Sequence, residues 1–90
     1  ELDLHGLTVE ESSANVRFFL QDALYQGFRT TLIITGKGFH SSDGPVLRQA
    51  VERLLETQRD IVLEWGLAPK SYGGSGALVV FLRQSEKTEL

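Results

Sequence analysis

Cysteine and methionine are both missing from this chain, and only two prolines interrupt its 90 residues. Without cysteine there is no disulfide staple and no thiolate metal site, a composition that fits a cytoplasmic protein. Cations are also short: nine Lys and Arg stand against twelve Asp and Glu, for a formal charge of -3. The surface as a whole therefore does not attract nucleic acid, and a phosphate-binding role requires a local concentration of Lys, Arg and His. No apolar run approaches the ~20 residues of a membrane span, and no signal peptide is visible, so no membrane partner is expected. A chain that starts at Glu1, directly on a strand-like run, and contains no methionine reads as a domain excised from a longer protein. What remains is an ordinary globular composition, 41% apolar and 23% charged. Its length allows one core, burying somewhat over ~60% of the unfolded chain's surface.

Leu2 to His5 alternates apolar and polar residues and is closed by Gly6, which predicts a short strand with Leu2 and Leu4 inward and Asp3 and His5 sharing the other face. Thr8 stands three residues before Glu11, a capping-box spacing, and opens a helix with Val9, Val16, Leu20, Ala23 and Leu24 as its buried stripe. Gly27 ends it. Thr30 to Thr35 reads as the second strand. Ser42 or Asp43 can cap a second helix, with Pro45 in its first turn and Val46, Leu47, Ala50, Val51, Leu54 and Leu55 buried. Ile61 to Trp65 is a third strand, and Ala77 to Leu82, apolar on both faces, a central fourth. The fold class is α/β: a two-layer βαβαββ sandwich with a four-stranded mixed sheet and two helices on one face. The first three strands run parallel and the fourth returns antiparallel. The domain occupies residues 1–84, and residues 85–90 form a frayed polar tail.

Parallel strands bring their carboxyl ends, and the amino ends of both helices, to one edge of the sheet, where open sheets bind ligands. His5-Gly6, Gly36-Lys37-Gly38 and Gly73-Gly74-Ser75-Gly76 should therefore meet at one rim. Glycines at 36 and 38 let backbone N–H groups approach a phosphate, the positive end of the next helix faces the same space, and Lys37 adds charge. Asp3, two residues from His5, can orient the imidazole for acid-base chemistry; the plainer alternative is a solvated polar face. His40 is a second acid-base group, a phosphate contact or a solvated loop residue. Arg48 and Lys70 can add to the local positive field, and Tyr72 or Phe39 can stack a base. Ser75 reads as a loop residue with a hydrogen bond for phosphate, since a strand and not a helix follows it. The two histidines with Asp3 or Asp43 show no recognised metal-ligand spacing.

Three motifs, Leu2-Asp3-Leu4-His5-Gly6, Thr35-Gly36-Lys37-Gly38 and Gly73-Gly74-Ser75-Gly76-Ala77, together resemble the Smr domain, the small MutS-related module. The likeness runs from Leu2 to Arg83. It implies the two-layer βαβαββ fold and a nucleic-acid-binding domain with endonuclease activity on DNA or RNA. It further implies cleavage roles for Asp3 and His5 and a nucleic-acid-binding role for Gly36, Lys37 and Gly38. His40, Lys70, Gly74 and Ser75 join that binding set from their place on the rim. With RNA the adjacent 2'-hydroxyl can attack without a metal; with DNA water must attack, and a divalent metal becomes a candidate cofactor. The alternative is a non-catalytic nucleic-acid- or ribosome-binding module served by adjoining domains of its parent chain. A third reading is a protein-interaction domain using the helix-free sheet face, near Val62 and Glu64.

Overall fold

The computed structural model describes residues 1–36 and 43–83. Its elements follow the expected order: β1 (Leu2–Asp3), α1 (Val9–Gln26), β2 (Thr30–Ile34), α2 (Asp43–Thr57), β3 (Val62–Leu67) and β4 (Ala77–Leu82). The sheet order is β1-β2-β4-β3; β1 runs parallel to β2, and β4 lies antiparallel between β2 and β3. The mixed sheet and the central last strand are as the apolar pattern predicts.

Alternation along the strands decides which face carries the helices. Ile33, Leu78, Val80 and Leu82 are buried, and they share one core with Val16 and Leu20 of α1 and Val51 and Leu55 of α2. Each such fully buried aliphatic side chain contributes about 1.5–3 kcal/mol relative to exposure. Buried Thr31 satisfies its hydroxyl by donating to the Val80 carbonyl at 3.2 Å. Leu32 and Val79, cross-strand partners on the opposite face, are only half-buried.

Local signals set the ends of α1. The Thr8 hydroxyl accepts from the Glu11 N–H while the Glu11 carboxylate accepts from the Thr8 N–H, closing the capping box, and Gly27 takes the left-handed conformation that stops the helix.

Four expectations need correction. β1 ends at Asp3, because the chain turns once Leu4 has bonded to Ile34; its carbonyl then accepts from Leu7 N–H at 3.0 Å, so His5 stands on a turn. β3 starts at Val62 and reaches Leu67, because β4 pairs with it as far as Leu78. Val46 is 52% exposed and Val9 40%, each in the first turn of its helix, and Ser12 takes a buried place on α1 instead. Val62 is fully buried in the core, so it forms no part of the free sheet face. Lys37, Gly38, Phe39, His40, Ser42 and the tail 85–90 lie outside the described residues.

Candidate nucleic-acid interface

The carboxyl ends of β1 and β2 and the approach to β4 converge through main-chain bonds. Leu4 N–H donates to the Ile34 carbonyl at 2.8 Å, which sets His5 beside Thr35 and Gly36. The N–H groups of Thr35 and Gly36 both donate to the Gly76 carbonyl, each at 2.9 Å. The buried Thr35 hydroxyl lies 3.4 Å from the same carbonyl. Three corners remote in sequence, at His5, Gly36 and Gly76, therefore occupy one rim.

Each corner is shaped by its residues. At the first, the Asp3 carboxylate accepts from the backbone N–H of His5 at 2.9 Å, a bond to the main chain and not to the ring. Asp3 and His5 are both exposed, so the imidazole is open to solvent and to a ligand. At the second, Gly36 has φ +85° and leaves open space where a side chain would stand. The third is built from two short 3-10 turns, Lys70–Tyr72 and Gly74–Gly76, joined by Gly73 at φ +113°. A Cβ on Gly73 would stand 2.9 Å from the Ala77 Cβ, so the glycine is what lets this loop fold against the head of β4. Gly74 N–H donates to the Pro69 carbonyl at 3.0 Å, and Gly76 N–H to Gly73 at 3.0 Å.

The electrostatics of the rim are uneven. The first turn of α1 carries Glu10 and Glu11 and is capped by Thr8, so its positive end already has a partner. Lys70 is exposed within the glycine-dense loop, and Arg48 is half-buried on α2. Among the described residues no group of three His, Cys, Asp or Glu stands close enough to hold a metal ion.

Of the sequence-selected residues, the structure brings together Asp3, His5, Gly36 and the backbone of Gly74 and Ser75. Thr35 was not singled out as a site residue; it buries its side chain between two corners. Its signal was a β-branched polar residue at the end of an apolar strand, directly before a glycine.

The family model for the Smr domain matches residues 2–83. Probable DNA endonuclease SmrA of Escherichia coli (strain K12) is 39% identical over 89 residues, 98% of this chain and 47% of that protein. Endonuclease MutS2 of Lactobacillus johnsonii is 34% identical over 83 residues, 92% of this chain and 10% of that protein. The crystal structure of the Smr domain of Thermus thermophilus MutS2 superposes with a TM-score of 0.80 at 36% identity, covering 91% of this chain and 95% of that one. The chain thus spans about half of one curated relative and a tenth of the other.

Proposed function

This chain belongs to the Smr domain family, and from that premise we propose that it is a nucleic-acid-binding domain that cleaves phosphodiester bonds at the rim where His5, Gly36 and Gly76 meet. The observation that carries the reading is the shared Gly76 carbonyl, which pins the Gly36 corner while β1 sets His5 alongside. Relatives named as endonucleases support it.

In this mechanism Gly36, Gly38, Gly74 and Ser75 bind the phosphate, chiefly through backbone N–H groups. Lys37, next in the chain, neutralises charge that grows on the phosphoryl oxygens, helped by Lys70 and His40. His5 moves a proton to or from the attacking or leaving oxygen. Asp3 is a positioning residue, holding the main chain of His5 and through it the direction of the ring. On RNA the neighbouring 2'-hydroxyl attacks; on DNA water attacks, the reaction for which a divalent metal would supply activation.

The test is His5→Ala against wild type on matched DNA and RNA, with and without chelator. Loss of cleavage with binding retained is expected; undiminished cleavage by the purified variant overturns the assignment. A second reading, a non-catalytic module docking on nucleic acid or the ribosome, is favoured by Glu10 and Glu11 at the rim and by the net charge of -3. Salt-dependent binding with no product on long incubation selects it. Either way the domain works in the cytoplasm, beside adjoining domains of a longer chain.

A further inference from the structure

The sheet face turned away from the helices is apolar and open. Together with the start of β2 and the end of α1 it borders a groove of about 860 Å³, floored by Leu32 and Val79; of the five aromatic residues on its lining, Phe19 and Trp65 pack partly into the core, and Phe28, Tyr72 and Phe81 are exposed. These rings are 59%, 63% and 42% exposed. Their placement is ordered. Phe81 pairs in register with Thr30, close to Phe28, at one end of the sheet. Tyr72 stands at the other end, immediately before Gly73, whose contact with Ala77 folds the loop over the head of β4. Four strand steps from Ala77 to Phe81 span about 13 Å.

We infer that this face receives the unpaired bases of a single-stranded segment whose backbone leaves the rim past Tyr72, stacking them on Tyr72, Phe81 and Phe28. The inference rests on the nucleic-acid reading above and adds the kind of substrate: one with unpaired bases beside the reacting phosphate. Continuity is the first argument, since Tyr72 lies four residues before the Gly76 carbonyl that binds Gly36. Chemistry is the second. A four-stranded sheet displaying aromatic rings can stack about two or three bases, whatever their sequence. Charge is the third: exposed Lys70 and Arg29 stand beside Tyr72 and Phe28 in the chain, one cation at each end. The acids Glu1 and Asp22 line the α1 side of the groove, and Glu64 opposes Phe81 on β3. With bases seated on the sheet and phosphates turned to water, those carboxylates flank the bases and stay clear of the backbone.

The experiment measures binding of the 90-residue chain to a short single-stranded oligonucleotide, a blunt duplex of equal length and an abasic strand of equal charge. Phe81→Ala and Tyr72→Ala, both at exposed positions, are each expected to weaken single-strand binding about tenfold while leaving duplex binding unchanged. The abasic strand should bind weakly and be indifferent to both variants. Equal single-strand binding by wild type and variants overturns the inference. So does a dimer in sedimentation equilibrium that Phe81→Ala dissociates, which would make a second copy the occupant. Duplex binding without any single-strand binding removes this inference alone; no binding to any nucleic acid removes the proposed function with it.

Discussion

The carboxylate of Asp3 holds the backbone N–H of His5 at 2.9 Å. Its work at the rim is thus to fix a turn, and a neutral acceptor of the same shape can do the same. Asp3→Asn should keep cleavage within a few-fold of wild type, whereas Asp3→Ala, which frees the turn, should lose on the order of 100-fold. Steady-state rates for the two variants decide it: equal losses would mean that the negative charge itself is needed.

Gly73 combines a positive φ with a missing Cβ that would crowd Ala77. Gly73→Ala should cost about 1–3 kcal/mol of stability, from backbone strain and the displaced loop together. Gly27→Ala is the control, since it shares the left-handed backbone but meets open space. Urea denaturation should show the lower midpoint for Gly73→Ala, and a midpoint equal to that of Gly27→Ala would deny the crowding.

Ser12 is buried on α1, and its hydroxyl has no hydrogen-bond partner among the described residues. A buried, unsatisfied hydroxyl carries its desolvation cost without return. Ser12→Ala should therefore be neutral or stabilising by up to about 1 kcal/mol, raising the melting temperature by as much as ~4–8 °C. A clear fall in the thermal midpoint would show that the hydroxyl has a partner in solution.

The sequence made the elements legible where local chemistry was strong. Thr8 and Glu11 announced a helix start that the capping box bears out, and Gly27 its end. The doubly apolar run Ala77 to Leu82 identified a strand paired on both sides. The meeting of the His5, Gly36 and Gly76 corners followed from strand direction, because parallel β1 and β2 end at the edge where antiparallel β4 begins. Other features depend on contacts between remote segments. Asp3 near His5 suggested a bond to the ring, but a turn after so short a strand brings the His5 N–H within reach first. The exposure of Val46 could not be read from periodicity, which marks a stripe on the helix without saying how far the sheet extends beneath it. The aromatic groove is scattered over Phe28, Tyr72 and Phe81, which no single window of sequence joins.

The last of these strands in chain order, β4, is inserted into the middle of the sheet, between β2 and β3. Until it is made, β2 has only the two-residue β1 to pair with, β3 has no neighbour among the described strands, and no strand pairing holds the Gly76 carbonyl at the Gly36 corner. A nascent or prematurely terminated chain without β4 consequently cannot hold the Gly36 and Gly76 corners together, so under the proposed function any cutting waits until synthesis has run past Leu82.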